Sequence, residues 1–175
     1  MEDNNEYVRM LARSSAAQIA CFRGILAGRE SLTAEGFEHL IADIVFRRLA
    51  LAEGQLRSAD LLASSRKTGN LEELLSAVSR AYFAMYNTAR ALVFLRKGKD
   101  VNEHRRLPDH LPEDLPDRDE WAKRLRKYRD LRNDADYDPF ADWETLKLWH
   151  AIREDAGLFL ARVRKLCRGE DSDSE

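Results

Sequence analysis

Residues 71–93 read LEELLSAVSRAYFAMYNTARALV, a stretch that combines a long apolar stripe with regularly placed small residues. The apolar positions recur every three or four residues, which is the repeat of an amphipathic helix. The alanines at positions 77, 81, 84 and 89 are small enough for neighbouring helices to approach closely. We therefore expect a central core helix that starts at a capping box formed by Asn70 and Glu73 and ends near Lys97.

The same helical periodicity continues over most of the chain, without strand-like alternation or an internal repeat. The further predicted helices cover residues 7–27, 36–65, 118–136 and 142–167. Asp117 and Glu120 form a second candidate capping box. A loop is expected over residues 98–117, because three of the four prolines fall there, and long loops are often functional.

These elements predict an all-α fold. Residues 37–168 are expected to form a four-helix bundle, preceded by an additional N-terminal helix within residues 1–36. The acidic residues 169–175 are expected to be a disordered tail. At 175 residues the chain has the length of one ordinary domain.

Composition excludes several classes of protein. The formal net charge of -2 gives no overall attraction to nucleic acid or membrane, so such binding needs a local patch. No apolar run approaches the ~20 residues that cross a bilayer. Cys21 and Cys167 have no metal-binding or redox spacing, and the acidic N-terminus is unlike a signal peptide. A cytoplasmic protein without a metal site or cofactor is predicted.

Residues 129–139, RDLRNDADYDP, are the strongest candidate for a functional site. Arg129, Arg132 and Asp136 are spaced to lie on one face of the predicted helix. Paired guanidinium groups can hold a phosphate, and the same spacing also suits salt bridges on a solvated surface. The basic residues of the same predicted helix form either a solvated face or, across a dimer, a nucleic-acid-binding stripe: Lys123, Arg126, Lys127 and Arg129.

Two segments carry a resemblance to a known family. Residues 79–92, SRAYFAMYNTARAL, resemble the second helix of small bacterial and archaeal HEPN domains, which read roughly S-R-A-Y-Y-A-M-F-x-A-A-R-A-L. Residues 111–138 resemble the third helix of that family and its R-x-x-A-D-Y ending. The resemblance covers about residues 37–168 and implies an up-and-down four-helix bundle that usually dimerises.

The resemblance also implies a choice of functions. Many HEPN proteins are metal-independent ribonucleases or ribonuclease toxins, others are non-catalytic modules, and small ones often accompany a minimal nucleotidyltransferase. The ribonucleases carry an arginine followed after four to six residues by histidine. In this chain the fifth residue after Arg132 is Tyr137, and no histidine lies between His110 and His150. A free tyrosine titrates near ~10, far above the ~6.5 of histidine, so Tyr137 is a poor base at neutral pH.

Two hypotheses follow. The first is an RNA-directed HEPN effector, a metal-independent ribonuclease toxin of a toxin–antitoxin or phage-defence system, acting as a homodimer with a nucleotidyltransferase antitoxin as partner. Arg132 would bind the scissile phosphate with help from Arg129, and Asp136, Tyr137 or His104 would transfer protons. His104 would reach over from its loop to replace the missing imidazole. The alternative is a non-catalytic HEPN module that binds a nucleotide, RNA or a partner protein, which the missing histidine favours.

Overall fold

All regular structure in the computed structural model is helical within the residues that it describes, which are 8–15, 17–20, 34–64, 71–141 and 147–170. The all-α prediction is therefore confirmed at this level. No helix in those ranges is long and apolar enough to cross a membrane. The four long helices are α1 (Ala34–Ser64), α2 (Leu71–Lys97), α3 (Arg118–Tyr137) and α4 (Trp149–Arg168), and a short 3₁₀ helix (Leu107–His110) lies between α2 and α3.

Helix α2 is the centre of the structure, because it packs against α1, α3 and α4. The four alanines that were expected to let neighbouring helices approach closely are completely buried: Ala77, Ala81, Ala84 and Ala89. Two polar side chains buried on α2 bond to their own helix. The Thr88 hydroxyl donates to the Ala84 carbonyl at 2.8 Å, and the Asn87 amide donates to the Phe83 carbonyl at 2.9 Å. The buried helix thus satisfies these polar groups without a partner from another element.

The N-terminal segment departs from the single helix expected over residues 7–27. Residues 8–11 and 17–20 are helical, and a turn separates them. The Ser15 amide donates to Gln18 Oε1 at 2.8 Å and the Gln18 amide donates to Ser15 Oγ at 3.3 Å, a capping box that starts a new helix. Val8, Leu11 and Ile19 are buried in the same core as the four long helices.

Three other details differ from the predictions. The Asp117 side chain caps nothing; it accepts a 2.8 Å bond from Arg162, and its backbone is left-handed with φ of 57°. Helix α4 begins at Trp149 and not at residue 142, because residues 147–148 form a turn and residues 142–146 lie outside the described ranges. Asn70, the predicted cap of α2, also lies outside the described ranges. Leu158, which its apolar side chain would place on the buried side of the helix predicted over residues 142–167, is 55% exposed.

The connection between α2 and α3 is packed onto the bundle. Leu107, Leu111 and Leu115 are almost fully buried. The Tyr86 hydroxyl donates to the Asn102 carbonyl at 2.7 Å, which holds the first half of the connection over α2. This path carries His104 across the aromatic residues of α2.

Candidate functional site

An aromatic platform on α2, formed by Tyr82, Phe83 and Tyr86, is the base of the candidate site. Tyr82 and Tyr86 are spaced i, i+4 and therefore lie on one face of the helix. Their side chains are buried, at 1% and 5% exposure, and their ring centroids are 6.2 Å apart. Phe83 is half-buried beside them. Both tyrosines are therefore part of the core of the bundle.

His104 lies on this platform. Its ring stacks on Tyr86 with a centroid separation of 3.9 Å and an interplanar angle of 14°. It also meets Phe83 edge-on at 5.8 Å, and its Nδ1 lies 2.8 Å from the Tyr82 hydroxyl. Its Nε2 has no hydrogen-bond partner among the described residues. The imidazole is thus held on one side, with Nε2 available to a ligand.

The surroundings of His104 favour its neutral form. Burial lowers the pKa of His104, and the positive charges of Arg132, Arg90 and Arg129 lower it further. Burial raises the pKa of Tyr82, so the phenol stays protonated at neutral pH. When Nδ1–H donates to the Tyr82 oxygen, Nε2 carries the lone pair and can accept a proton.

Arg132 reaches the same platform from α3. Its guanidinium carbon lies 5.2 Å from the ring centroid of Phe83 and 5.2 Å from that of Tyr137. Arg132 and His104 therefore contact the same Phe83 ring. Arg132 Nε is 2.7 Å from Asp136 Oδ2, yet its N–H is not aligned with that oxygen. This buried N–H has no hydrogen-bond acceptor in the part of the chain that the structure describes.

Asp136 joins α3 to α2. Its Oδ1 accepts a short hydrogen bond from the buried Ser79 hydroxyl on α2, while its Oδ2 faces Arg132. Asp136 thus forms the salt bridge with Arg132 that the helical spacing also suits. The sequence did not identify Ser79 as a site residue; its position at the start of the SRAYFAMYNTARAL segment was the only signal.

The remaining predicted site residues are either open to solvent or in contact with neighbouring side chains of their own. Tyr137 is 73% exposed, so its phenol is open to solvent. Arg129 Nη2 bonds to Asp130 Oδ1 at 2.7 Å. The other basic side chains are already engaged: Lys123 with Glu120 at 2.6 Å, Arg126 with Asp109 at 2.5 Å, and the Lys127 ammonium 5.5 Å from the ring centroid of Tyr128.

The basic residues of α3 do not share one face. Lys123 precedes Arg132 by nine residues, which is about 180° around an α-helix, and Lys127 is about 140° away. The predicted nucleic-acid-binding residues are thus distributed around α3, and Arg129 and Arg132 are the two whose charges act on His104. The other histidines are away from this site: His39 and His150 are exposed, and His110 Nδ1 lies 3.3 Å from Lys99 Nζ.

The site therefore combines a guanidinium, a neutral imidazole and a half-buried aromatic ring, a set of groups that suits a phosphate ester. Within the described ranges no three His, Cys, Asp or Glu side chains are grouped as metal ligands. Comparison of the chain with family models and with curated proteins gave no match.

Proposed function

We propose that this chain is a cytoplasmic RNA-directed effector of the HEPN type, which cleaves RNA without a metal ion through His104 and Arg132. One observation carries the proposal: an imidazole with an available Nε2 and a guanidinium pack on the same Phe83 ring, and the charge of Arg132 lowers the pKa of His104. The resemblance of residues 79–92 and 111–138 to HEPN domains supports the same function. His104 takes the chemical role of the histidine that is missing after Arg132.

The reaction needs a base, a group that holds the phosphate and a leaving group. Neutral His104 Nε2 removes the proton of a ribose 2′-hydroxyl, and the 2′-oxygen attacks the adjacent phosphorus. Arg132 stabilises the charge that develops on the phosphate oxygens. The bond from phosphorus to the 5′-oxygen breaks, that oxygen takes a proton from water, and protonated His104 returns its proton to the hydroxide that is left. The products are a 2′,3′-cyclic phosphate and a free 5′-hydroxyl.

Asp136 orients Arg132 without occupying the whole guanidinium. The close contact involves Nε, and a guanidinium has five N–H donors in total. Nη1 donates to Asn133 Oδ1 at 3.3 Å, a long bond that an anion can replace. Nη2 has no partner among the described residues. The Nη groups are therefore the donors that we assign to the scissile phosphate.

The proposal includes a homodimer that presents two copies of this site to one RNA, and a nucleotidyltransferase antitoxin as partner. The exposed Tyr137 hydroxyl is the group that such a partner would modify, because it is open to solvent and lies beside Arg132. Addition of a nucleotide there would place a large anionic group next to the guanidinium and block access to it.

The test is cleavage of single-stranded RNA by the purified protein in excess chelator. His104→Ala and Arg132→Ala should each lose about 100-fold or more of the rate, as expected for removal of a general base or of a transition-state donor. His150→Ala removes an exposed histidine from α4 and should keep the wild-type rate. Arg47→Ala removes an exposed arginine that pairs with Asp43 four residues away, and it serves as the control for Arg132.

A second candidate function is a non-catalytic HEPN module that binds a nucleotide, RNA or a partner protein. The observation that favours it is the pairing of both central arginines with carboxylates, Arg129 with Asp130 and Arg132 with Asp136. Absence of cleavage by folded wild-type protein, with RNA or nucleotide binding that Arg132→Ala weakens, would select this function. Cleavage that persists in His104→Ala would refute the assignment of the base.

A further inference from the structure

His104 has no regular secondary structure to hold it. It lies in the connection between α2 and α3, where residues 99–103 have no regular secondary structure and residues 104–106 form a turn. A side chain in such a segment is positioned only by the contacts that fix its backbone and ring. Its neighbours must therefore explain why the imidazole lies over Tyr86.

Asp100 is the principal anchor of that segment. Its side chain is 8% exposed, and it lies between two guanidinium groups. Arg90 on α2 donates to both carboxylate oxygens, from Nε at 3.0 Å and from Nη2 at 2.6 Å. Arg48 on α1 places Nη2 3.0 Å from Oδ1. One loop carboxylate is thus bound to two helices, with bidentate geometry to Arg90.

The anchor continues to His104 through Tyr86. The Arg90 guanidinium carbon lies 5.4 Å from the Tyr86 ring centroid, and the Tyr86 hydroxyl holds the Asn102 carbonyl. His104 stacks on that same ring. The contacts therefore form a continuous path from Asp100 through Arg90 and Tyr86 to the imidazole.

Arg48 connects the N-terminal segment to the same anchor. Besides Asp100, it donates to the Ala12 carbonyl at 2.7 Å and to the Arg90 carbonyl at 3.3 Å. Its guanidinium carbon lies 4.7 Å from the Phe94 ring centroid. Burial lowers the pKa of Arg48 to about 10, while Asp100 opposes this shift, so the side chain stays charged at neutral pH. The Arg48 contact makes residues around position 12 part of the support of the loop.

We infer that Asp100, clamped by Arg48 and Arg90, is the positioning residue that holds His104 on Tyr86 and against the Phe83 ring that Arg132 also contacts. The catalytic consequence rests on the proposed function, whereas the location of the imidazole does not. The N-terminal segment acquires a role as well, because it completes the clamp through Ala12. Loss of the clamp releases the loop and removes the imidazole from the site.

The test is the histidine ring resonances of Asp100→Asn, which keeps the shape of the side chain and removes its charge. In the wild type, stacking on Tyr86 shifts the His104 ring protons upfield, and a His104→Gln spectrum assigns them. In Asp100→Asn these signals should move to the position of the exposed His39 and His150 signals, and their titration midpoint should rise toward ~6.5. The groups that act on this midpoint are Arg132, Arg90 and Arg129, with the phenols of Tyr82 and Tyr86 beside the ring.

Two further variants complete the design. Arg90→Lys keeps the charge but loses the bidentate geometry, so it should shift the His104 signals partly and tests the anchor if Asp100→Asn does not fold. Asp43→Asn breaks an exposed ion pair with Arg47 on α1 and should leave the His104 signals unchanged. Unchanged His104 signals and titration in folded Asp100→Asn or Arg90→Lys would overturn the inference.

The RNA assay separates this inference from the proposed function. If wild-type protein cleaves RNA, Asp100→Asn should lower kcat by about tenfold or more with little change in KM, because Arg132 still binds the phosphate. If the wild type does not cleave RNA and the His104 signals still move in Asp100→Asn, the proposed function fails and the positioning role stands. An Asp100→Asn protein with wild-type kcat would contradict the positioning role in an active enzyme.

Discussion

The hydrogen bond between the Tyr82 hydroxyl and His104 Nδ1 is a contact whose contribution to stability can be measured directly. The two atoms are 2.8 Å apart, and Tyr82 is 1% exposed. A hydrogen bond between neutral groups contributes about 0.5–1.5 kcal/mol net. Tyr82→Phe removes the hydroxyl, and His104→Phe removes Nδ1 while it keeps an aromatic ring over Tyr86. We expect a coupling free energy of about 1 kcal/mol in this double-mutant cycle.

The assay is chemical unfolding of the wild type, both single variants and the double variant, followed by circular dichroism. A pH of about 8 keeps His104 neutral in both states, since burial lowers its folded pKa and unfolded histidine titrates near ~6.5. Tyr82→Phe should lower the free energy of unfolding by about 1 kcal/mol in the wild type and by much less in the His104→Phe background. The comparison uses only variants that unfold in one cooperative transition with similar denaturant dependence.

Additivity of the two single changes within about 0.3 kcal/mol would refute the reasoning, because independent sites add to that precision. A parallel cycle pairs Tyr82→Phe with His150→Phe. His150 is exposed on α4 and has no contact with Tyr82, so these two changes should add. A coupling of equal size in both cycles would also contradict the assigned contact, because it would come from the phenylalanine substitutions themselves.

Three further predictions follow from the described contacts. Folded His104 has a lower pKa than unfolded histidine, so the stability that its neutral form contributes is complete above ~6.5 and is lost as pH falls through the folded pKa. The free energy of unfolding of His104→Phe should therefore fall less than that of the wild type between about pH 8 and pH 5. Asp155→Ala should cost about 1–3 kcal/mol in urea unfolding, because it leaves the hydroxyl of Tyr128, which is 2% exposed, without its 2.6 Å acceptor. Phe159→Ala should cost about 3–5 kcal/mol because its side chain is fully buried, while Leu158→Ala beside it should change the unfolding free energy by about 0.5 kcal/mol or less.

The sequence predicts the long helices well because their apolar and small residues repeat with helical spacing. Helix α2 ends at Lys97 and α3 covers Arg118–Tyr137, close to the predicted limits. Leu158 shows where a simple list of apolar residues fails. It follows Trp149 by nine residues, about 180° around α4, so strict periodicity places it opposite the buried face. The start of a new helix after Ser15 could also have been predicted, since Ser-x-x-Gln is the sequence pattern of a capping box.

In the candidate site, the local contacts could be predicted from the sequence and the long-range contacts could not. The ion pair of Arg132 with Asp136 follows from i, i+4 spacing on one helix. The contacts of His104 with Tyr82 and Tyr86 depend instead on the path of the connection over α2, which no local pattern encodes. Asp100 gave no sequence signal for the same reason: its arginine partners lie 10 and 52 residues earlier, on two different helices.

The position of His104 also determines how the two candidate functions can be separated. Arg132 serves either function, because a guanidinium can hold a phosphate whether or not the RNA is cleaved. A neutral imidazole adds little to phosphate binding. His104 is, however, the only histidine that packs on the Phe83 ring together with Arg132 among the described residues. His104→Phe should therefore abolish cleavage and keep RNA binding if the chain is an enzyme. Arg132→Ala should weaken binding in both cases, so the histidine, and not the arginine, distinguishes a ribonuclease from a binding module.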